Sequence, residues 1–206
     1  MCHIQLIETL RMEDGVLQRL PYHEARYKNA MRHFWHETCP KKLAQILADN
    51  GLKTDGRNPG FTGTYKVRVE YCHDHCSVQA TPYRPKHVAS LRMVAGDGTD
   101  YHYKYADRSA LAKCLERRDG CDEVIIVKDG LLTDTSYSNI AFFDGTHWLT
   151  PRVPLLAGTM RSWLLDNGLA KEADIRPADL GSFSKASLIN AMLPLGELTV
   201  PTSEIK

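Results

Sequence analysis

Paired strand segments separated by short turns constrain the fold of this chain more than any other feature. Residues 3–12 read as a strand with alternating apolar positions, the turn signal Glu13-Asp14-Gly15 follows, and residues 16–20 return as a second strand. Two further hairpins follow the same pattern and pair residues 65–71 with 77–81 and 138–143 with 147–149. The sequence therefore predicts an α+β fold in which antiparallel hairpins are more prominent than β-α-β units.

Other segments show helical periodicity or continuous apolar runs. Apolar residues recurring at three and four positions predict helices at 22–35, 41–50, 109–118 and 158–167, with a short helix or turn at 178–184. Glu123-Val-Ile-Ile-Val127 is nearly continuous in apolar residues and predicts a buried strand. Further strands are predicted at 88–94 and 186–191.

A segment rich in proline and basic residues divides the chain. Residues 82–87 contain two prolines together with Arg84 and Lys86, a composition typical of a linker between compact units. The sequence therefore predicts a small N-terminal α/β lobe over residues 1–84. A larger C-terminal lobe over residues 85–206 is predicted to carry Lys104 and the phosphate-binding turns described below.

Composition argues against several classes of partner. The chain has 206 residues, with 26 basic and 25 acidic side chains, so its net charge of +1 gives no reason to expect nucleic acid or an anionic membrane. It contains no apolar run long enough for a membrane span. The N-terminus lacks the basic and apolar regions of a secretory signal, so we expect a cytoplasmic protein.

Three sets of polar residues occur in an order that suggests catalysis. Lys104 lies between two tyrosines, Thr133-Asp134-Thr135-Ser136 places an acid among hydroxyls, and Gly158-Thr159 opens a predicted helix. A phosphorylated pyridine aldehyde requires an amine to bond it, an acid at its ring nitrogen and backbone N–H groups for its phosphate. A solvated lysine, a turn-capping aspartate and an ordinary helix entry are the alternative interpretations of the same residues.

Five motifs in one order resemble the fold-type IV pyridoxal-phosphate enzymes. That family includes branched-chain and D-amino-acid aminotransferases and 4-amino-4-deoxychorismate lyases. The motifs are Leu6-Ile-Glu-Thr-Leu-Arg11, His23-Glu-Ala-Arg26, Lys104-Tyr-Ala-Asp-Arg108, Gly158-Thr-Met-Arg161 and Ile189-Asn-Ala-Met-Leu-Pro194. The last is close to the Asn-Ala-Leu-Met-Pro segment of the lyase branch. The resemblance covers nearly the whole chain.

The resemblance implies a two-lobed fold like that of D-amino-acid aminotransferase, with pyridoxal 5'-phosphate in the cleft between the lobes. Lys104 is expected to bond the cofactor aldehyde and then to move protons at the substrate α-carbon. Asp134 stands where the family usually has glutamate, and is expected to keep the pyridine nitrogen protonated.

The same resemblance assigns the remaining cofactor contacts. Arg26 is expected to bind the phosphate as a bidentate donor, together with the backbone of Gly158-Thr159-Met160 at the start of a helix. The turn at Asn190-Ala191 is expected at the phosphate end. Asn139 is expected to help frame the site, although a strand-end asparagine explains it equally well.

Several residues remain open between a functional and a structural role. Glu8 and Arg11 face the substrate side by analogy with the family, but a surface ion pair on the first strand explains them equally. Arg161 fits an ion pair as readily as a ligand. Cys72-His-Asp-His-Cys76 has a spacing compatible with zinc, but a surface hairpin turn is the better interpretation, and no metal is expected.

The leading functional hypothesis is 4-amino-4-deoxychorismate lyase, which releases pyruvate and 4-aminobenzoate in folate synthesis. A class IV aminotransferase acting on branched-chain or D-amino acids is the alternative, because it shares every cofactor contact. A non-catalytic remnant of the fold is a third hypothesis. Longer relatives place residues before the first strand that help to close the cleft or the dimer, so substrate choice is not predicted. The family implies a homodimer acting on a small amino substrate.

Overall fold

The computed structural model describes residues 4–206, which form two compact units. One unit comprises the described residues up to Pro85 together with Tyr103–Asp107, and the other comprises Lys86–His102 and Arg108–Lys206. The division falls inside the predicted linker. It differs from the prediction in one respect, because the segment that contains Lys104 belongs to the N-terminal unit and not to the C-terminal one.

The N-terminal unit is a sheet covered by helices. Its elements are β1 (Leu6–Glu13), β2 (Val16–Leu17), α1 (Leu20–Trp35), α2 (Leu43–Asp49), β3 (Thr64–Tyr71) and β4 (Cys76–Pro82). The strands are antiparallel in the order β2-β1-β3-β4. The predicted first strand begins at residue 3, which lies outside the described residues. Pro21 stands in the first turn of α1, where its fixed φ and missing N–H are tolerated, so the helix begins where the sequence predicted a strand end.

Strand alternation decides which β1 side chains meet α1. Leu6, Leu10 and Met12 are buried in one cluster with Tyr27 and Met31 of α1. Side chains two apart on a strand point to the same face, so Glu8 shares this inward face. A carboxylate on an otherwise apolar face must find partners, because burying an isolated charge is very costly.

The segment Tyr103–Asp107 is attached to β1 through backbone groups. Ile7 N–H donates to the Lys104 carbonyl at 2.9 Å, and Ala106 N–H donates to the Gln5 carbonyl at 2.8 Å. Leu6 and Tyr105 form an antiparallel bridge. These bonds explain why the predicted lobe assignment of Lys104 was wrong: the segment follows the linker in sequence but extends the sheet of the N-terminal unit.

The C-terminal unit contains two sheets. Its elements are β5 (Leu91–Ala95), α3 (Ser109–Glu116), β6 (Glu123–Lys128), β7 (Leu131–Thr135), β8 (Asn139–Phe143), β9 (Trp148–Pro151), α4 (Thr159–Asp166), β10 (Lys171–Ala173), a 3₁₀ turn (Pro177–Ser182), β11 (Lys185–Ile189), β12 (Thr199–Pro201) and a 3₁₀ turn (Thr202–Glu204). One sheet has the order β5-β6-β7 and the other β10-β9-β8-β11-β12. β10 and β12 are short strands that the sequence did not predict.

The core of the C-terminal unit fixes the strands that carry the polar residues of interest. Ile125, Leu132, Ile140, Phe142 and Leu188 belong to one buried cluster. β7 and β8 follow each other closely in the chain, which brings the acid of β7 near the start of β8. Mixed helices and strands with mainly antiparallel pairing confirm the α+β class. No helix among residues 4–206 is both long and apolar enough to cross a membrane.

Candidate active site

A buried ion-pair cluster joins β1 to α1 in the N-terminal unit. Arg26 donates from Nε to Oε1 of Glu8 at 2.8 Å and from Nη2 to Oε2 at 2.6 Å. His23 Nδ1 donates to the same Oε2 at 2.6 Å. Glu8 and His23 are fully buried, whereas the Arg26 side chain is 15% exposed. The surface-pair interpretation of Glu8 is therefore wrong, because Glu8 is buried and both of its carboxylate oxygens accept hydrogen bonds from residues of α1. Its placement toward a substrate stays a prediction.

The electrostatics of this cluster fix its protonation state. Burial alone would raise the pKa of Glu8, but the charge and hydrogen bonds of Arg26 and His23 outweigh it and lower that pKa to about 2. Burial lowers the pKa of His23, and the positive charges of Arg26 and Lys104 lower it further against the opposing effect of Glu8. The cluster therefore contains an ionised glutamate, a neutral histidine and a charged arginine at neutral pH.

Lys104 lies at the centre of a three-residue turn. Tyr105 N–H donates to the Tyr103 carbonyl at 3.0 Å, which closes a turn around the lysine. Lys104 is half-buried, and its charge acts on His23 in the same unit. Lys104 and the ion-pair cluster of Glu8, His23 and Arg26 therefore both belong to segments that contact β1.

Arg11 faces away from the Glu8 cluster. It is buried and pairs with Glu13, from Nε to Oε2 at 3.3 Å and from Nη2 to Oε1 at 3.4 Å. Burial lowers the pKa of Arg19, and the nearby positive charge of Arg11 lowers it further. Glu8 and Arg11 are three positions apart on a strand and so lie on opposite faces, which is why they do not pair.

In the C-terminal unit, Asp134 and Asn139 form one hydrogen-bonded group. Asn139 Nδ2 donates to Asp134 Oδ1 at 2.8 Å and to the Leu156 carbonyl at 2.8 Å. Leu156 N–H donates to Asp134 Oδ2 at 2.9 Å. A turn-capping aspartate in an exposed loop would not be 5% exposed, as Asp134 is. Asn139, the first residue of β8, therefore holds the Asp134 carboxylate in place, and its part in framing a cofactor site stays a prediction.

Burial raises the pKa of Asp134 to about 6, although the hydrogen bonds from Asn139 and Leu156 and the charge of Arg161 oppose the shift. The ionised form is therefore costly in the protein as it stands. A cation placed beside this carboxylate would be attracted to it strongly, because the surroundings are largely removed from water. A protonated pyridine nitrogen is such a cation.

The start of α4 contacts Asn139 directly. A Cβ atom added to Gly158 would lie 1.9 Å from Asn139 Oδ1, so only glycine allows this approach. Gly158 is the N-cap, and among residues 4–206 no side chain caps α4. Thr159 is the first helical residue. The first-turn N–H groups, including that of Met160, have the geometry that attracts an anion, while the Met160 side chain is buried in the core.

The Asn190 side chain shapes a turn. Its Oδ1 accepts from Met192 N–H at 2.8 Å and from Leu193 N–H at 3.0 Å, and its Nδ2 donates to the Tyr137 carbonyl at 3.3 Å. The Asn190 side chain therefore sets the backbone path at Ala191. The expected place of this turn at the phosphate stays a prediction.

Two of the open assignments have structural contacts or placements that explain them. Arg161 is buried and donates from Nη2 to the Pro151 carbonyl at 2.8 Å and to Glu172 Oε1 at 2.7 Å. The Cys72–Cys76 segment is the turn between β3 and β4, as predicted. In the part of the chain that the structure describes, no group of three or more His, Cys, Asp or Glu residues is arranged to hold a metal ion.

The structure groups the predicted residues into two sets, one in each unit. Lys104, Glu8 and Arg26 belong to the N-terminal unit, while Asp134, Asn139, Gly158, Thr159, Met160, Asn190 and Ala191 belong to the C-terminal unit. Two contributors were not predicted: His23 and the Leu156 backbone. The alternation of β1 places Glu8 on the buried face of the strand. A buried carboxylate requires a basic partner, which is the pattern that indicates a residue such as His23.

The donor set matches the chemistry of pyridoxal phosphate. The amine corresponds to the aldehyde of the cofactor, and the buried carboxylate to its ring nitrogen. The arginine and the helix N-terminus correspond to its phosphate. Asp134 is a buried acid whose ionised form lacks a strong counter-charge, which a protonated ring would supply. The residues present therefore fit the cofactor that the motifs implied.

Comparison with known proteins identifies the family of the chain. The model of the amino-transferase class IV family matches residues 5–199. A protein of Haemophilus influenzae without an assigned activity is 33% identical over 187 residues, covering 91% of this chain and 97% of its own. A Schizosaccharomyces pombe protein named "putative aminodeoxychorismate lyase" is 25% identical, covering 82% of this chain and 76% of its own.

Solved structures share the fold of this chain. The structure titled "putative 4-amino-4-deoxychorismate lyase" from Haemophilus somnus has a TM-score of 0.84 and 32% identity, covering 95% of this chain and 100% of that one. A Mesorhizobium loti structure titled "putative amino-acid aminotransferase" has a TM-score of 0.76 and 24% identity, covering 98% of this chain and 100% of that one. The family match covers nearly the whole chain, and the cofactor and enzyme predictions are confirmed. The chain belongs to the class IV aminotransferase family and is a pyridoxal-phosphate-dependent enzyme.

Proposed function

We propose that this protein is a 4-amino-4-deoxychorismate lyase that releases pyruvate and 4-aminobenzoate, and that it serves folate synthesis. The observation that carries the proposal is the likeness to the Haemophilus somnus protein, at 32% identity over the whole of that chain. The segment Asn190-Ala-Met-Leu-Pro194, whose turn is held by the Asn190 side chain, supports it.

The reaction requires a proton to move and one bond to break. The ring carbon that bears the substrate amine loses a proton, and the carbon–oxygen bond to the enolpyruvyl group breaks as the ring becomes aromatic. The departing enolpyruvyl group takes up a proton and becomes pyruvate, so no water is consumed. When bound, pyridoxal phosphate supplies an electron sink for the carbon that loses its proton. The Lys104 amine is the base that takes this proton and can return it.

The other residues hold and tune the cofactor. Asp134, held by Asn139 and the Leu156 N–H, keeps the ring nitrogen protonated. In the N-terminal unit, Arg26, already oriented by Glu8, would hold the phosphate. In the C-terminal unit, the first-turn N–H groups of α4 are the groups that would do so. These roles follow from the family resemblance and are supported by the burial and orientation of each group.

Arg11 and Arg19 support an anionic substrate. Two arginines near each other with Glu13 as the partner of Arg11 form a region of positive charge in the N-terminal unit. A substrate with two carboxylates, as aminodeoxychorismate has, is attracted more strongly to such a region than an amino acid with an apolar side chain. Arg11 is therefore proposed to contact the substrate.

Aminotransferase activity on branched-chain or D-amino acids is the second candidate. The observation in its favour is the family itself, because its name is that of the aminotransferases and the cofactor residues are common to both reactions. In a transaminase the amino group of the substrate stays on the cofactor, and a keto acid must then bind to receive it. The lyase leaves the cofactor unchanged and needs no second substrate.

One assay separates the two candidates. The purified protein, loaded with pyridoxal phosphate, is given aminodeoxychorismate, and 4-aminobenzoate and pyruvate are measured together. In parallel, L-leucine and D-alanine are supplied with 2-oxoglutarate, and glutamate is measured. Equal amounts of 4-aminobenzoate and pyruvate, formed when no 2-oxoglutarate is added, support the lyase. Glutamate formation without 4-aminobenzoate would overturn it in favour of the transaminase.

The lysine variant and a matched control complete the assay. Lys104→Ala should abolish 4-aminobenzoate formation, together with the borohydride-sensitive visible absorption of lysine-bound cofactor. Lys113→Ala removes an exposed lysine of α3 and should change neither. Borohydride-sensitive absorption that persists in Lys104→Ala would mean that Lys104 is not the attachment point.

The expected homodimer and the cytoplasmic location stay predictions. Light scattering coupled to size-exclusion chromatography would measure the first, and cell fractionation the second. A monomer that retains full activity would contradict the dimer.

A further inference from the structure

Four aromatic rings surround the turn that carries Lys104. Tyr103 and Tyr105 flank the lysine in sequence, while His33 and Phe34 belong to the last turn of α1. The His33 ring stacks on Tyr103 with centroids 4.6 Å apart and planes 20° apart. Phe34 meets Tyr103 edge-on at 4.7 Å and Tyr105 at 5.9 Å. These are favourable geometries for aromatic pairs.

We propose that His33 and Phe34 are positioning residues that clamp Tyr103 and Tyr105 and thereby fix the amine of Lys104 for its bond to the cofactor. The proposal rests on the proposed role of Lys104 and adds residues that no cofactor contact would identify. His33, Phe34, Tyr103 and Tyr105 together form this aromatic clamp.

The backbone alone would leave the turn incompletely fixed. It is attached to β1 by the Ile7–Lys104 and Ala106–Gln5 hydrogen bonds, and each such bond contributes only modestly to stability. A lysine side chain has four rotatable bonds, so small changes in the turn become large displacements at its amine. The clamp opposes such changes by holding the residues on both sides of Lys104.

The clamp also ties the lysine to the arginine cluster. α1 carries Arg26, which is held to Glu8 of β1, and eight residues later Phe34, which holds the lysine turn. With a rise of about 1.5 Å per residue, these two anchor points lie roughly 12 Å apart along one rigid helix. The spacing between the proposed phosphate arginine and the reactive amine is thus set by α1 and β1 together.

The first test uses the cofactor-free protein and needs no activity. Phe34→Leu removes two ring contacts with the tyrosines and should speed hydrogen exchange at the Ile7 and Ala106 amides about tenfold, which corresponds to about 1.4 kcal/mol. Phe34→Tyr keeps the ring and should restore slow exchange. Phe61→Leu is the matched control, because it removes an edge-on pair with Tyr65, 4.9 Å apart, in the same unit. Unchanged exchange in Phe34→Leu, or an equal change in Phe61→Leu, would overturn the clamp.

The second test asks whether the clamp positions the amine. With saturating pyridoxal phosphate, Phe34→Leu should lower kcat and shift the pH at which the absorption of lysine-bound cofactor changes, with little change in KM. Phe34→Tyr should recover both. Faster exchange with an unchanged spectrum and kcat would overturn the positioning role. A wild-type protein that never develops the lysine-bound absorption would instead refute the proposed role of Lys104, and the exchange result would still report on the clamp.

Discussion

Arg26 donates to both carboxylate oxygens of Glu8, at 2.8 and 2.6 Å, in a pair that joins the first helix to the first strand. The fork of the guanidinium matches the carboxylate, and this geometry leaves little freedom for the arginine to turn. The pair therefore orients Arg26 before any phosphate arrives. An arginine already in place loses less conformational entropy on binding its ligand.

Removing the Glu8 charge should destabilise the protein strongly. Glu8→Gln leaves Arg26 without its buried counter-charge, and we expect a loss of about 3–5 kcal/mol in the free energy of unfolding at pH 7. Urea unfolding followed by fluorescence measures it. Glu13→Gln, which changes a glutamate that is 49% exposed and paired with Arg11, should lose less than about 1 kcal/mol. Similar losses in the two variants would contradict a special role for the buried pair.

The same pair predicts a pH dependence. The pKa of Glu8 is lowered from 4.5 to about 2, so its stabilisation is present above pH 4.5 and is lost as the pH falls toward 2. The shift corresponds to about 3 kcal/mol. Glu8→Gln should lack this component, so the difference in unfolding free energy between wild type and variant should shrink between pH 4.5 and pH 2. A difference independent of pH would show that folding does not lower the pKa of Glu8.

In the cofactor-free protein, Asp134 should make the free energy of unfolding change with pH in the direction opposite to that of Glu8. Its pKa is raised from 3.8 to about 6, so folding favours the neutral acid, and stability falls as the pH rises from about 4 through 6. Relative to Asp134→Asn, the wild type should lose about 3 kcal/mol over this range. Asp166→Asn, an exposed position, should run parallel to wild type. Bound cofactor should abolish the loss, because a protonated ring nitrogen pairs with the ionised acid.

Local patterns predicted most elements but not the attachment of the lysine. Apolar periodicity was sufficient for α1, α4 and the hairpins, because neighbours in sequence determine those elements. The pairing of Leu6 with Tyr105 joins residues far apart in the chain, and no local pattern encodes it. Short edge strands such as β10 depend in the same way on distant partners.

Some site residues can be identified from the sequence, whereas the contacts of others depend on residues that are distant in the chain. Lys104, Asp134 and Arg26 could be found from residue type and order, since each supplies a distinct chemistry. The short spacing of Glu8 and Arg11 predicts a surface pair, whereas strand alternation places the two side chains on opposite faces. His23 reaches Glu8 only after α1 folds back over β1, so its contribution required the structure.

A methyl group at position 158 should disturb the acid of the C-terminal unit. In Gly158→Ala the new Cβ would lie 1.9 Å from Asn139 Oδ1, so the side chain must move and its bond to Asp134 weakens. We expect a loss of about 1–3 kcal/mol in stability and weaker cofactor binding. Gly181→Ala, with no atom within 4 Å of the added Cβ, is the control and should be neutral. Full cofactor affinity in Gly158→Ala would argue against this contact as part of the site.

Arg26→Lys tests the phosphate role with its charge retained. A lysine cannot present the planar fork, so both the grip of Glu8 and the bidentate hold on phosphate weaken. We expect the dissociation constant for pyridoxal phosphate to rise at least about tenfold, equivalent to about 1.4 kcal/mol, with little change for pyridoxal, which lacks the phosphate. Fluorescence titration with both ligands measures the ratio, which cancels any general loosening of the protein. Arg68→Lys, which alters a 35% exposed arginine paired with Glu70, should leave both affinities unchanged. An equal loss for pyridoxal and its phosphate would assign Arg26 to the architecture of the unit and leave the phosphate to the N-terminus of α4.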